Sequence, residues 1–600
     1  MGKLPVRRGA HPTAGPMFSN LRQYLRALER EGELAVVERR PIPTSRSPRS
    51  TGESSPKGAQ RSSSGARRGR DSRLPPICSG TAKRIELAFG ARPKDFVREL
   101  ARAAVDLLPP TPSKLWGRAA FVASDESRDP PRAAAPVLEV RGEPRLGELP
   151  ILTSAPLDAG AFVTLPLVYT EHPDPTFHQS NLGIYRLQVF DDPDRGIPRA
   201  DREGGGFHFH EAERLGIDLP ATVFLGGPPA LTLAAIAPLP EGIPELLLAS
   251  LARGARLETA AAPGGGHPLV AEAEWALRGR VRAGMRRIEG PFGDHYGYYS
   301  LAHEYPVLEL DEMWHRKDPI YPATIVGKPK QEDFFLGDYL QELLSPLFPL
   351  VMPAVVNLWS YGETGFHSLA AAVVKDRYPR EALQSAFRIL GEGQLSLTKF
   401  LLLTDARVDL RDFRGLLEHL LARCRFESDL FVFSNVLDGH ARLHRPQGQR
   451  REQGGIVGIG GAGPRAPARV RGALPAGRAR RRSSAADASS SRGTAMPTIR
   501  GSPRGSRPIR ARPPGRSWSS PTTPPRQRPA PRPFVASVHP IRAGRRPPRG
   551  RGPVVRNHLA YRAPIVVDAR VKPWFPGEVD PDPATVSLVN RRWKEYFPDR

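Results

Sequence analysis

The sequence predicts a mixed α/β and α+β protein with an N-terminal α/β module over residues 17–130, a mainly β domain over 131–330 and a C-terminal α/β domain over 331–600. Two observations support this division. The chain has 600 residues and is 39% hydrophobic, enough for several buried cores. Helical periodicity marks both ends, whereas short β-type runs separated by Gly and Pro fill the middle. Two or three Arg-rich irregular inserts interrupt this pattern.

The N-terminal module begins with an amphipathic helix. Ser19 can cap this helix, Gly32 stands where it would stop, and apolar residues recur at positions i, i+3, i+4 and i+7. The apolar run Ile85–Phe89 resembles a strand, and a helical pattern follows it over Lys94–Leu108. We therefore expect an α/β module that frames the first insert.

The central domain is predicted from short β-type runs: Phe162–Tyr169, Gly183–Phe190, Thr222–Leu225, Ala273–Leu277 and Tyr298–Ser300. Beyond it, Phe335–Leu344 is predicted to be a connecting helix. The order strand, helix, strand over Lys399–Thr404, Leu410–Cys424 and Leu430–Phe433 then predicts a βαβ unit on a partly parallel sheet.

The net charge of +26 is concentrated in two segments. Residues 441–550 carry a net charge of +23 and residues 41–80 carry +6, which leaves −3 for the other 450 residues. Residues 441–550 contain only two aromatic side chains, Trp518 and Phe534, to stack on bases. We therefore expect no nucleic-acid partner, although an Arg-rich nucleic-acid-binding protein stays an alternative function.

The cysteines and the hydropathy pattern bear on the compartment. Cys78 and Cys424 are the only cysteines, which excludes a disulfide framework and a thiolate zinc site. Because no clean run of about 20 apolar residues and no apolar signal core occur, we expect a cytoplasmic protein with at most peripheral membrane contact.

The densest polar cluster in an apolar setting is EGPFGDHYGYY, residues 289–299. Its carboxylates Glu289 and Asp294 are five residues apart and are separated by Gly and Pro, so a tight bend could turn both toward one cavity. A carboxyl near a like charge in an apolar site has the raised pKa that a proton donor requires. The alternative is an acidic surface turn.

Two further clusters precede it. In NLGIYR, residues 181–186, Gly183 allows close backbone approach and Arg186 offers a planar cation that suits a carboxylate. In PLPEGIPE, residues 238–245, Glu245 precedes an apolar run. Considered alone, the first is also compatible with an edge strand and the second with an acidic helix start.

Taken together, NLGIYR, PLPEG…E and EGPFGDHYGYYS, in that order, resemble the UbiD family of prenylated-flavin-dependent decarboxylases. The resemblance runs from Leu21 to about Asn435, with the final tail. It implies a central split β-barrel that binds the flavin. It also implies non-oxidative decarboxylation of an aromatic or α,β-unsaturated acid, such as a 3-polyprenyl-4-hydroxybenzoate, and a homo-oligomer that receives prenylated FMN from a flavin prenyltransferase.

The resemblance also assigns residues. Asn181 and Glu245 match ligands of the cation that holds the cofactor phosphate; hard oxygen ligands suit Mn²⁺ or Mg²⁺, and K⁺ is a further candidate. The cofactor-binding positions are Ile184, Tyr185, Arg186, Gly204 and Lys399. The catalytic positions are Arg186, which would pair with the substrate carboxylate, Glu289, and Asp294, which stands in the place of the proton donor.

One segment departs from the family pattern. The position where a His usually completes the metal shell reads Arg202, and a guanidinium would oppose a cation. His208 and His210 are candidate replacements, although their alternation with Phe is more typical of a structural strand. We therefore expect the chain to bind the cofactor weakly and to be nearly inactive.

Three segments lose the family pattern abruptly: 45–79, 196–203 and 437–553. Each is poor in Lys and rich in residues with GC-rich codons, mainly Arg, Gly, Pro, Ser and Ala. We hypothesise that they are out-of-frame translations, which would make the chain a damaged homologue. The alternative is genuine disordered basic inserts.

Overall fold

The computed structural model describes most of the regions with regular sequence patterns. The described residues are 18–34, 79–106, 134–177, 179–190, 196–198, 205–239, 243–327, 330–436, 451–458, 537–539, 554–555, 558–559, 566–568 and 576–596. They belong to two compact units. One contains Met1–Val351 and Pro576–Arg600, and the other contains Met352–Ala441 and Gly448–Phe575. This division differs from the predicted one, in which 331–600 is a single domain.

The described N-terminal residues form three helices, α1 (Leu21–Arg30), α2 (Ala82–Phe89) and α3 (Arg92–Asp106). The cap of α1 is Asn20, whose side chain accepts from the Gln23 amide at 2.9 Å, and not Ser19 as the sequence predicts. The strand expected at Ile85–Phe89 is also wrong. Thr81 caps α2, and its apolar side chains share one face.

The first unit is built around a seven-stranded sheet. The strands are β1 (Val140–Gly142), β3 (Leu167–Glu171), β4 (Ser180–Ile184), β6 (Gly196–Pro198), β7 (Leu219–Leu225), β10 (Trp275–Glu289) and β11 (His303–His315). Their order is β1-β11-β10-β7-β3-β4, with β6 pairing β11, and all pairings are antiparallel. Two-stranded ladders join β2 (Phe162–Val163) to β5 (Leu187–Gln188), and β8 (Thr259–Ala260) to β9 (Leu269–Val270).

Helices cover this sheet and close its cores. They are α4 (Gly205–Leu215), α5 (Pro229–Ile236), α6 (Glu245–Arg253), α7 (Glu332–Leu344) and α8 (Phe348–Val351). The mainly β centre and the connecting helix at Phe335–Leu344 are confirmed. Phe-His-Phe-His lies on α4 and not on a strand, which corrects the expectation for His208 and His210.

The second unit contains a five-stranded sheet. The strands are β12 (Val355–Ser360), β13 (Leu369–Val374), β14 (Phe400–Thr404), β15 (Leu430–Val436) and β16 (Arg451–Gly458), with helices α9 (Glu381–Leu390), α10 (Phe413–Leu421) and α11 (Phe426–Asp429). Their order is β12-β13-β14-β16-β15. The neighbours β13 and β14 are parallel and are linked by α9. The predicted pairing of β14 with β15 is wrong, because β16 lies between them and β15 runs antiparallel to β16.

Strand β16 lies inside 437–553, the segment predicted to be irregular. Over 451–458 that expectation is wrong, because the strand is parallel to β14 along five residue pairs. Its Gly-rich sequence carries no β periodicity, so the partner strands, rather than local propensity, determine its conformation. Outside 451–458 and 537–539, this insert lies beyond the described residues, as do residues 45–78 of the first one.

The remaining elements lie near the C-terminus. They are β17 (Ser537–His539), β18 (Val554–Val555), β19 (His558–Leu559), β20 (Val566–Asp568), α12 (Pro583–Arg591) and α13 (Trp593–Tyr596). Among the helices that the structure describes, none is both long and apolar enough to cross a membrane.

Candidate active site

The loop that follows β10 carries the acidic pair. Glu289 is the last residue of β10, and Asp294 lies five residues later in the connection to β11. The buried Asp158 holds this loop by accepting from the backbone amide of Gly293 at 2.8 Å. Gln188 accepts from the amide of Gly290 at 2.9 Å. These two side chains determine where the loop bends.

The far side of the loop is held by its own return and by the C-terminal tail. Ser300 accepts from the amide of Phe292 at 3.2 Å. The amide of Tyr299 donates to the carbonyl of Gly577 at 2.9 Å, and the amide of Val579 donates to the carbonyl of Gly297 at 3.0 Å. Residues 577–579 thus complete the loop within the first unit.

Arg186 bridges the two carboxylates. Its Nε lies 2.8 Å from Oε1 of Glu289, and one of its terminal nitrogens lies 3.7 Å from Oδ2 of Asp294. The guanidinium also stacks over the ring of Phe292 at 4.9 Å. The carboxylates of Glu289 and Asp294 are buried, so this bridge forms where solvent screening is weak. The structure therefore brings the three predicted catalytic residues together.

The two carboxyls respond to burial in opposite ways. Burial raises the pKa of Glu289, and the pull of Arg186 only partly offsets it. Burial also acts to raise the pKa of Asp294, but His295 and Arg186 outweigh it and hold that pKa well below its usual range. The raised pKa predicted for a proton donor thus belongs to Glu289 in this ligand-free geometry, while Asp294 is ionised.

Asn181 and Glu245 meet at β4. Oε2 of Glu245, at the start of α6, accepts from the amide of Leu182 at 2.9 Å, so its carboxylate lies beside the residue that follows Asn181. Nδ2 of Asn181 donates to the hydroxyl of Tyr185 at 3.2 Å. Burial raises the pKa of Glu245. Among the described residues, no ion pair compensates this carboxylate.

The backbone between these residues approaches Tyr185 closely. A side-chain Cβ on Gly183 would stand 2.3 Å from the Tyr185 hydroxyl, so only glycine fits at this position of β4. Ile184, the last residue of β4, pairs with Leu167 of β3. The chain therefore runs from Asn181 to Arg186 through one strand end, which positions both halves of the site.

Three other predicted residues are not placed in this site by the structure. Gly204 and Arg202 lie outside the described residues. Lys399 lies in the second unit, directly before β14, where its amide donates to the carbonyl of Ser368. His208 is buried, and its Nδ1 lies 3.0 Å from the hydroxyl of Thr170, the residue opposite Asn181 in the β3–β4 ladder.

Comparison with known proteins identifies the lineage. Residues 129–329 match the family model described as the 3-octaprenyl-4-hydroxybenzoate carboxy-lyase Rift-related domain. Residues 334–459 match the model of the C-terminal domain of the same enzyme. A Chlamydia pneumoniae protein, named as one subunit of a 4-hydroxybenzoate decarboxylase, is 41% identical over 545 residues, which cover 87% of this chain and 88% of that protein. The chain belongs to the UbiD family of carboxy-lyases.

Other UbiD relatives support the same extent of similarity. An uncharacterized protein of Chlamydia trachomatis is 43% identical over 548 residues, which cover 86% of this chain and 89% of the relative. Among solved structures, the open form of Sedimentibacter hydroxybenzoicus vanillic acid decarboxylase matches with a TM-score of 0.54 at 22% identity, covering 77% of this chain and 96% of that one. The UbiD-class enzyme HmfF from Pelotomaculum thermopropionicum, in complex with FMN, matches with a TM-score of 0.50 at 24% identity, covering 63% and 80%. These structures confirm the mixed α/β fold.

The UbiD cation site is only partly supplied by the described residues. Asn181 and Glu245 offer oxygen atoms, and the buried carboxylate of Glu245 lacks a positive partner among the described residues, which suits a hard cation. No cluster of three or more His, Cys, Asp or Glu side chains in the described part of the chain could hold a metal. The two oxygen donors thus fit a cation that also takes ligands from a phosphate and from water.

Sequence reasoning missed the residues that support the UbiD loop. Asp158 accepts from three backbone amides, those of Ser154, Ala155 and Gly293. Gln188 and His295 also contact the loop, and neither belongs to a recognisable spacing pattern. Ser300 ends the EGPFGDHYGYYS motif and was the one such residue with a visible signal in the sequence.

Proposed function

We propose that this chain is a non-oxidative decarboxylase of an aromatic or α,β-unsaturated carboxylic acid that uses prenylated FMN. The observation that carries the proposal is the Glu289–Arg186–Asp294 bridge, in which one cation joins two buried carboxyls with pKa values displaced in opposite directions. Paired carboxyls of this kind divide the roles of acid and base.

The residues of the chain have distinct roles in this proposal. Arg186 orients the substrate carboxylate, since a guanidinium recognises carboxylates through paired hydrogen bonds. Oε2 of Glu289 is buried without a hydrogen-bond partner in the described structure, so it is available to an incoming group. Asp294 lies on the other side of Arg186 and returns a proton to the carbon that loses CO₂.

The cofactor and its cation would occupy the other half of the site. Asn181 and Glu245 would hold Mn²⁺ or Mg²⁺, and the backbone from Ile184 to Arg186 would contact the flavin. When bound, prenylated FMN would supply an electron sink for the electrons that remain when CO₂ leaves. Gly204 and Lys399 remain proposed phosphate contacts on the family resemblance alone.

The substrate class follows from relatives. The Chlamydia pneumoniae relative is named for 4-hydroxybenzoate decarboxylation, and the matched family models are named for 3-octaprenyl-4-hydroxybenzoate. We therefore propose a 4-hydroxybenzoate, with or without a 3-polyprenyl chain, as substrate. The relative's description as part of a larger enzyme and the family resemblance also support a homo-oligomer and a flavin prenyltransferase as cofactor supplier.

The test is a decarboxylation assay on protein produced together with a flavin prenyltransferase. Release of CO₂ from 4-hydroxybenzoate or its 3-polyprenyl derivative, with prenylated FMN in the purified protein, is the expected result. Because Arg202 stands where the family places a histidine, Arg202→His is assayed beside the native chain and should bind more flavin. A fully loaded chain that leaves both acids and a cinnamate unchanged would contradict the proposal.

A further inference from the structure

His295 makes an unexplained contact with the proposed proton donor. Its Nδ1 lies 2.5 Å from Oδ1 of Asp294, and its backbone amide lies 2.6 Å from the same oxygen. The imidazole also packs against the ring of Tyr296 at 4.3 Å. Backbone and ring together hold one oxygen of Asp294, while Arg186 faces the other at 3.7 Å.

The two side chains differ in their access to water. The side chain of Asp294 is 8% exposed, whereas that of His295 is 27% exposed. A proton that Asp294 gives to a substrate must be replaced in every turnover, and the carboxylate itself is shielded from solvent. The imidazole is the partly exposed group in contact with it, and imidazole exchanges protons near neutral pH.

A second carboxyl faces the same imidazole from another element. Asp333, in the first turn of α7, is largely buried, and its Oδ1 has no hydrogen-bond partner in the described structure. Burial raises the pKa of Asp333, the charge of His295 lowers it, and the charge of Asp294 raises it again. The ring is thus placed between two carboxyls, Asp294 on its own loop and Asp333 on α7, with Arg186 beyond Asp294.

We propose that His295 is a relay residue that reprotonates Asp294 from solvent, with Asp333 stabilising the charged imidazole. This inference rests on the proposed decarboxylation. In each turnover the bond from carbon to CO₂ breaks, the O–H bond of Asp294 breaks, and a C–H bond forms. The imidazolium of His295 then transfers its Nδ1 proton to Oδ1 of Asp294 and takes another proton from water, so that one proton is consumed for each CO₂ released.

The first test needs neither cofactor nor substrate. A strong hydrogen bond between imidazole and carboxylate gives a far-downfield proton resonance in the NMR spectrum. We expect this resonance in the native protein, and we expect its loss in His295→Gln and in Asp294→Asn. Its retention in His295→Gln, or its absence from the native protein, would overturn the relay even if decarboxylation is confirmed.

The second test measures turnover. We expect His295→Ala to lower kcat by about 10²-fold with KM and flavin content unchanged, because the loss of one proton-transfer group typically costs ~10²–10⁴-fold. Added imidazole should restore part of the rate, which a purely structural role would not allow. The control is His315→Gln, since His315 lies at the far end of β11 and contacts the carbonyl of Arg316. A His295→Ala rate within about twofold of the native rate would overturn the proposal.

If the native protein shows no decarboxylation, the proposed function fails in this assay, but the NMR resonance still decides whether the relay contact exists. Asp333→Asn separates the two carboxyls. We expect it to keep the downfield resonance and to lower kcat less than His295→Ala does. Loss of the resonance in Asp333→Asn, with its retention in Asp294→Asn, would reverse the assigned partners and overturn the proposal.

Discussion

The two ends of the candidate site differ in how their buried charges are compensated. At the catalytic end, Arg186 lies between Glu289 and Asp294, and each carboxylate has a cation within 3.7 Å. At the other end, Glu245 is half-buried, accepts one amide hydrogen bond and has no ion pair among the described residues. The catalytic end is therefore complete without a ligand, whereas the other end requires a cation.

This difference predicts that damage at each end has a separate signature. Changes at the catalytic end should affect rate and leave cofactor binding intact. Changes at Asn181 or Glu245 should affect what the protein retains on purification. If the two ends were instead one structural unit, both kinds of change would have the same effect.

The largest effect is expected from Asp294→Asn. The amide fills the same space but cannot supply a proton, so kcat should fall by ~10²–10⁴-fold while flavin stays bound. Steady-state decarboxylation and flavin absorbance measure the two quantities. The matched control is Asp311→Asn, because Asp311 is exposed and pairs with Arg280 on the surface. Loss of flavin in Asp294→Asn would break the separation of the two ends.

Glu245→Gln should act on the opposite quantity. It removes one of two oxygen ligands and its charge, so we expect the affinity for Mn²⁺ to fall by more than about tenfold, with a parallel loss of flavin. Metal analysis by mass spectrometry after dialysis gives the result. A variant that keeps native metal content would show that Glu245 is a helix-start acid.

Asp158→Asn tests whether the loop is held independently of the cation end. Asp158 accepts three backbone amides, and an amide side chain would turn a donor toward one of them. We expect a loss of about 1–3 kcal/mol in the free energy of unfolding. Denaturant titration measures this loss, and Asp311→Asn should change stability by less than about 1 kcal/mol. Equal losses in the two variants would refute the anchoring role.

The smallest expected effect concerns pH. Burial raises the pKa values of Glu245 and Glu289, so the folded protein holds protons that the unfolded chain has already released. The stability of the ligand-free protein should therefore fall as pH rises above about 4.5, through the raised pKa values. Glu245→Gln should reduce this slope, and saturating Mn²⁺ should do the same. A slope unchanged in both cases would contradict the burial of an uncompensated carboxylate.

The sequence predicted the site better than the supporting structure. Residues 181–186 and 289–294 are short motifs, so local spacing was enough to pair Arg186 with the acids. Asp158 lies 135 residues from Gly293, and no local pattern reports such a contact. Strand β16 failed for a related reason, because neighbouring strands rather than its own propensity determine its conformation. Helix α2 was mistaken for a strand because a five-residue apolar run fits either period.

The most direct test of the central claim is the flavin content of three proteins produced with a flavin prenyltransferase and Mn²⁺: the native chain, Asp294→Asn and Glu245→Gln. Absorbance and mass analysis give prenylated FMN per chain. Two separable ends predict equal flavin in the native chain and Asp294→Asn, and much less in Glu245→Gln. Arg202→His, run in parallel, should raise the native value. Flavin lost equally from Asp294→Asn and Glu245→Gln, or unchanged in both, would contradict this account.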